Sequence, residues 1–275
     1  MHAIDGRKIA RTIEERVKKQ VEGKSLKLVT IVVQGSEESW LFARLKDRAC
    51  RKVGIHHEIL GLDTEKQEPI EQEIEKLNRD ESVTGIHIQL PLPETIRYTE
   101  LVGKVALQKD VEGMHPRNLG AIMLGRERII PCTPKAVLTI LHHETIPLKG
   151  KNVVIVNHST IVGKPLALLM LNRDATVSVC HVYTKNLASC TKQADILVTA
   201  TGVRGLITGE HVREGCILID AGIKEENGAV YGDADESARM KAGAFTPVPG
   251  GVGPVTIACM LENVVEAYKN IHKGP

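Results

Sequence analysis

KNVVIVNHSTIVGKPLALLMLNRDATVSVCHVY (151–183) is the stretch that decides the fold. KNVVIVN (151–157) is a short β-branched run and reads as a buried strand. KPLALLMLNR (164–173) reads as a helix and ATVSVCHVY (175–183) as the next strand. A strand–helix–strand unit of this length implies a parallel pair with a crossover helix. The turn between them, NHSTIVGKP (157–165), then presents backbone N–H groups and a helix N-terminus, a place where phosphate is held. It is not GxGxxG, since Gly163 is its only glycine. Asn157 stands where a first glycine is expected, and asparagine tolerates left-handed backbone at low cost. Ser159 can cap the turn or donate to a phosphate. Taken alone, the loop is equally an ordinary strand-to-helix turn. The second strand runs into His181-Val182-Tyr183-Thr184-Lys185, with no acid to take a ribose 2′-hydroxyl. His158, His181 and Lys185 are candidates for a 2′-phosphate, and each histidine is equally readable as one without a ligand.

Downstream, ADILVTATG (194–202) and GCILIDAGI (215–223) continue the strand series, and TIACMLENVVEAYKN (256–270) is a closing helix. Upstream, helical periodicity covers 4–22. LKLVTIVVQG (26–35), HHEILGL (56–62) and VTGIHIQLPLP (83–93) read as strands, the last broken at Pro91 and Pro93. SEESWLFARLKDRACRKVGI (36–55) and EPIEQEIEKLNRD (68–80) read as the helices between them. The region 94–134 is rich in Pro and Gly, with KDVEGMHPRNLG (109–120) expected as a loop over the strand ends, before a helix at 134–144. The fold class is α/β, with two α/β domains. Residues 1–140, joined by the helix 256–275, form the first. Residues 141–255 form a Rossmann-like dinucleotide-binding domain, and the active-site cleft is expected between the two.

Composition narrows the class. Of 275 residues, 42% are apolar and 25% charged, with 36 basic against 34 acidic side chains and a formal charge of +2. That balance does not suit a phosphate-backbone binder, and the scarce aromatics leave little for base stacking, so no nucleic-acid partner is expected. No apolar run reaches the ~18 residues of a membrane span, and the charged, amphipathic N-terminus does not read as a signal peptide. The six cysteines have neither CxxC nor paired spacing, which points to free thiols in a reducing cytoplasm and to no metal site.

Several residues can carry chemistry. Lys46 lies four residues after Phe42 on the expected helix, so the two share a face. An apolar neighbour would desolvate the amine and lower its pKa; a solvated helix lysine is the competing reading. Gln89 stands at the end of a strand bounded by prolines, where its amide can orient a substrate or simply serve a turn. Asp110 and Glu112 flank Val111; one can meet an amino-bearing heterocycle and the other can be a cap. PGGVGP (249–254) suits close backbone approach to a flat ligand, or a plain turn before the last helix.

In this order, the segments resemble the bifunctional methylenetetrahydrofolate dehydrogenase/methenyltetrahydrofolate cyclohydrolase family, from IDGRKIA (4–10) to the end of the chain. The resemblance rests on SxxFxxxK (Ser39 to Lys46), QLPLP (89–93), KDVEG (109–113), PCTP (131–134), STIVGKP (159–165), TVSVCH (176–181), VTATG (198–202), GDAD (232–235) and VPGGVGPVT (248–256). It implies Lys46 and Gln89 as catalytic residues. It implies Phe42, Glu112, Pro249, Gly250, Gly251 and Pro254 against the folate. It implies Asn157, His158, Ser159, Val162, Gly163, His181, Thr201, Gly202 and Ile223 against the cofactor. The cofactor is expected to be NADP, with NAD as the other possibility, and tetrahydrofolate carries the reacting carbon. A homodimer is expected too, with weak support from the apolar residues of strand 175–183. Four positions depart from the family: Phe42 for a tyrosine, Glu112 for an aspartate, His158 for an arginine and Val182 for a serine.

The implied reaction suits these residues. Hydride leaves a carbon flanked by two nitrogens whose lone pairs stabilise the cation, so that step needs positioning and no base. Water attack on the methenyl cation needs proton handling, and Lys46 with Gln89 is the expected apparatus. Phe42 lacks the hydroxyl of a tyrosine, so the hydrolysis is the more vulnerable step. Two other classes remain open on sequence: a related two-domain dehydrogenase for another small substrate, and a binding protein without turnover.

Overall fold

The computed structural model describes residues 2–35 and 37–272. Ser36, the first residue of the helix expected at 36–55, lies outside the described residues, as does the terminal 273–275. The chain opens with a two-residue strand, β1 (His2–Ala3), and helix α1 (Gly6–Val21). There follow β2 (Lys27–Val33), α2 (Glu37–Val53), β3 (His56–Leu62), α3 (Gln67–Arg79) and β4 (Gly85–Ile88). Next come α4 (Tyr98–Lys104), a 3-10 turn at Leu107–Lys109, α5 (Pro116–Met123) and α6 (Cys132–His143). The second series is β5 (Asn152–Val156), α7 (Gly163–Leu171), β6 (Thr176–Cys180), α8 (Leu187–Thr191), β7 (Ile196–Thr199) and β8 (Ile217–Asp220). It ends in β9 (Lys224–Glu226), β10 (Ala229–Tyr231), α9 (Glu236–Lys241), β11 (Ala244–Phe245) and α10 (Val252–His272).

These elements fall into two compact units. One takes residues up to 10 with 133–256, the other 11–132 with 257 onward. In the latter, three parallel strands run in the order β3-β2-β4. β2 is the centre, so six of its seven residues are buried, which is why it reads as an unbroken apolar run. β4 is shorter than the expected 83–93, because Pro91 and Pro93 have no N–H for a ladder. Within 109–120 the expected loop is partly helix. Pro116 sits in the first turn of α5, where a missing N–H costs nothing, and the His115 ring accepts from Arg117 N–H as its cap. The buried Asn263 of α10 donates to the carbonyls of Val111 and Ile130, at 2.9 Å each, and so ties the closing helix to the 109–113 segment.

In the other unit six parallel strands run in the order β1-β11-β8-β7-β5-β6. Leu197, Ala194, Ile207 and Leu218 lie in a core that covers one face of this sheet. Two buried carboxylates close its C-terminal edge. Asp220 accepts from the N–H groups of Gly222, Asp233 and Ala234, and Asp233 from Thr199 Oγ1 and the N–H groups of Thr201 and Val203. Burial raises the Asp220 carboxyl to about 6. β9 and β10 form a separate antiparallel hairpin. Among the described residues no helix is long and apolar enough to cross a membrane.

Candidate active site

Lys46 projects from the middle of α2 into the unit built on β3-β2-β4. Its Nζ lies 2.8 Å from Gln89 Oε1 and 2.6 Å from His87 Nε2. Burial lowers the lysine pKa, with Glu112 acting in the other direction. Gln89 is 6% exposed, and its N–H still donates to Ile31 at the end of the β2–β4 ladder. Its amide is fixed from both ends, because Nε2 donates to its neighbour's carbonyl at Leu90. Phe42 stands one turn before Lys46 on α2 and is half-buried.

Extended backbone would put residues two apart on one side, so Asp110 and Glu112 diverge here because the chain bends over residues 111–113. Asp110 is the cap. Its Oδ1 accepts from the N–H groups of Glu112, Gly113 and Met114, and its Oδ2 from His115 N–H and Asn118 Nδ2. Glu112 points the other way, with Oε1 2.8 Å from His87 Nε2 and Oε2 accepting from Tyr98 at 2.9 Å. Burial pushes the Glu112 carboxyl up, but His87, Lys46 and Tyr98 outweigh it and hold it down at about 2. Glu112 is therefore the anion of the cluster. Burial lowers the pKa of the His87 ring, and Glu112 pulls it the other way.

His87 and Tyr98 were not singled out from the sequence. For His87 a signal existed: it lies two residues before Gln89, so both share one face of β4. Tyr98 opens α4 in the region read as irregular, and no local pattern marks it. Its phenol joins the cluster by donating to Glu112 Oε2.

In the other unit the turn after β5 is organised by a side chain. Asn157 is not in the left-handed region, contrary to the expectation for a glycine substitute. Its Oδ1 instead accepts from Ser159 N–H, Ser159 Oγ and Gly163 N–H, while Nδ2 donates to Ala200. A glycine has no such acceptor, which is the physical reason asparagine serves here without positive φ. Val162 N–H and Lys164 N–H also bond back to Ser159. The N–H groups of Ser159, Val162, Gly163 and Lys164 are thus all engaged within the turn. Gly163 is required by closeness: a Cβ there would lie 2.0 Å from the Asn157 carbonyl oxygen.

Beyond the turn, His158 and His181 are exposed and their rings lie 4.9 Å apart, centre to centre, with Tyr183 6.1 Å from His181. Thr201 N–H is held by Asp233, Gly202 has φ of 70°, and Ile223 is 41% exposed. Pro249, Gly250 and Gly251 lead into α10, where Pro254 lies in the first turn. Gly250 has φ of 107°, and a Cβ on Gly6 would lie 1.9 Å from the Gly251 carbonyl oxygen, so this loop packs directly on the start of α1. The structure places Lys46, Gln89 and Glu112 in one cluster; Asn157, Ser159, Val162 and Gly163 share one turn. Among the described residues no group of three or more His, Cys, Asp or Glu stands where it would hold a metal ion.

Two family models match the chain: the tetrahydrofolate dehydrogenase/cyclohydrolase catalytic domain over residues 4–112, and the NAD(P)-binding domain of the same family over 131–272. A bifunctional protein FolD of Methanosarcina barkeri is 47% identical over 270 residues, covering 95% of this chain and 94% of the relative. The solved FolD methylenetetrahydrofolate dehydrogenase/cyclohydrolase of Campylobacter jejuni superposes with a TM-score of 0.94 at 40% identity, covering 98% and 99% of the two chains. The FolD of Trypanosoma brucei, solved with NADP cofactor and inhibitor, gives 0.94 at 33% identity over 99% and 98%.

Proposed function

The chain belongs to the tetrahydrofolate dehydrogenase/cyclohydrolase family, and on that premise we propose that Lys46 and Gln89 carry its hydrolytic step while Glu112 orients the folate. The protein oxidises 5,10-methylenetetrahydrofolate with NADP and hydrolyses the methenyl product to 10-formyltetrahydrofolate. The observation that carries the assignment of roles is the 2.8 Å hydrogen bond between Lys46 Nζ and Gln89 Oε1, made where burial lowers the lysine pKa. A neutral amine held by an amide can take a proton from water attacking the methenyl carbon. Glu112 Oε2 accepts from Tyr98 while Oε1 stands 2.8 Å from His87 Nε2, and the carboxylate keeps lone pairs for the amino group of the pteridine. We assign Phe42 to the folate as an apolar surface; the assignment of Pro249, Gly250, Gly251 and Pro254 to it rests on the family resemblance. A chain without turnover is not favoured, because the lysine–glutamine pair is intact.

The residues at the end of β5 and β6 fit a phosphorylated dinucleotide. When bound, the nicotinamide supplies the hydride acceptor. His158, His181 and Lys185 receive the 2′-phosphate where no carboxylate opposes it. Asn157, Ser159, Val162 and Gly163 shape the turn, and Thr201, Gly202 and Ile223 line the ring further along the sheet edge. The six free cysteines fit a reducing, cytoplasmic setting, and the exposed edge of β6 fits a homodimer.

The test is to follow reduced nicotinamide and the methenyl chromophore together with 5,10-methylenetetrahydrofolate and NADP. The wild-type chain should reduce NADP without lasting methenyl signal. Lys46→Met should still reduce NADP while methenyl accumulates, with hydrolysis down by about a hundredfold or more. Wild-type hydrolysis should also fall as pH drops through the lowered Lys46 pKa, since protonation removes the base. A Lys46→Met chain that hydrolyses at the wild-type rate overturns the assignment.

A further inference from the structure

We propose that His87 takes the proton from Lys46 during methenyl hydrolysis, a positioning residue that resets the lysine behind the reacting carbon. The inference rests on the cyclohydrolase reading above and deepens it. His87 is 3% exposed on β4, with Nε2 2.6 Å from Lys46 Nζ and 2.8 Å from Glu112 Oε1. One ring nitrogen offers either a lone pair or an N–H, never both. With the lone pair it accepts from Lys46; with the proton it donates to Glu112. The atom is therefore a single proton position between an amine and a carboxylate.

Lys46, Glu112 and His57 act directly on the ring, while Cys50 and Cys132 act on Lys46, Asp47 on His57, and Tyr98 on Glu112. Burial keeps the resting ring neutral and so able to accept. Hydrolysis of the methenyl cation releases one net proton. As the water oxygen bonds to the methenyl carbon, one water proton passes to the Lys46 amine. The ammonium passes it to His87 Nε2, where the Glu112 carboxylate stabilises the imidazolium. The second water proton reaches N5 as the C–N5 bond breaks and its electron pair returns to N5. The proton on His87 then leaves to solvent, and Lys46 is again neutral.

The test uses His87→Gln, which can hydrogen-bond but not carry a proton, and His87→Ala, which leaves a ring-sized space. His87→Asn serves if His87→Gln melts early. In His87→Gln the hydrolysis kcat should fall about tenfold or more relative to hydride transfer in the same preparation, with a changed pH profile and little change in KM. In His87→Ala the hydrolysis should rise with added imidazole but not with pyrazole, a ring of the same size and far weaker basicity; wild-type hydrolysis should ignore both. A His87→Gln chain with wild-type rate and pH profile overturns the proposal, and so does equal rescue by pyrazole, which would mean space-filling alone. A wild-type chain that reduces NADP with the folate but hydrolyses no methenyl compound, or does neither, overturns the underlying reading and this proposal with it.

Discussion

Asp110 and Glu112 are two residues apart, carry the same charge and do opposite work. Asp110 is 4% exposed and gathers four backbone N–H groups and one amide. Burial raises its carboxyl while those donors oppose the rise. Removing the side chain leaves buried donors without an acceptor, at about 1–3 kcal/mol each in isolation. Asp110→Ala is therefore expected to lose about 3–5 kcal/mol of stability and to weaken folate binding, because the bend that aims Glu112 loosens. Urea unfolding and the folate KM check this, and a loss below about 1 kcal/mol would refute the capping role. From sequence, one acid could be given a cap and the other a ligand, but not which was which; that needs the bend at 111–113 and the course of residues 113–118, where a proline begins a helix. Lys46 and Gln89 were legible by their spacing and place. His87 was legible only in retrospect, by the strand period that links it to Gln89. Contacts between α4 and the 109–113 segment, such as Tyr98 to Glu112, depend on long-range folding that no local pattern encodes.

Elements with strong periodicity were readable, and short ones were not. The central strand β2 and the amphipathic α1 follow directly from apolar spacing. The hairpin β9–β10 was not anticipated, yet its turn carries a signal. Asn227-Gly228 has φ of 52° and 74°, the positive pair that a two-residue hairpin needs. The turn after β5 holds the more consequential lesson. Asparagine there acts through its side-chain oxygen, gathering three donors, rather than through backbone freedom. Asn157→Ala should release Ser159 and the first turn of α7 together. The expected result is an NADP KM raised by about tenfold with a smaller change in kcat, since binding and not chemistry is disturbed. Steady-state kinetics at saturating folate decide it. An unchanged KM would mean that Ser159 and Gly163 hold the turn without Asn157.

At the scale of the whole molecule, the six-stranded sheet has two unequal edges. One is β1, two residues long, too short to template another strand. The other is β6, which pairs with β5 on one side only and has no lysine or proline among Thr176–Cys180. Val179 is 39% exposed, and beyond it Val182 and Tyr183 are 85% and 84% exposed. An open apolar edge of this kind is a liability unless something covers it, and a second copy related by a twofold axis would do so with the same residues on both sides. With a net charge of only +2, long-range repulsion does not oppose such pairing. Sedimentation velocity at micromolar concentration should therefore report twice the 30.1 kDa chain mass. Val179→Lys should shift the species to the single chain, because a buried, unpartnered ammonium facing its own symmetry mate costs several kcal/mol, more than a dimer of modest area can offset. If Val179→Lys sediments with the wild-type dimer, the pairing lies elsewhere on the surface. If the wild-type chain itself sediments as a monomer, the edge of β6 is covered by no second copy and its valines have another role.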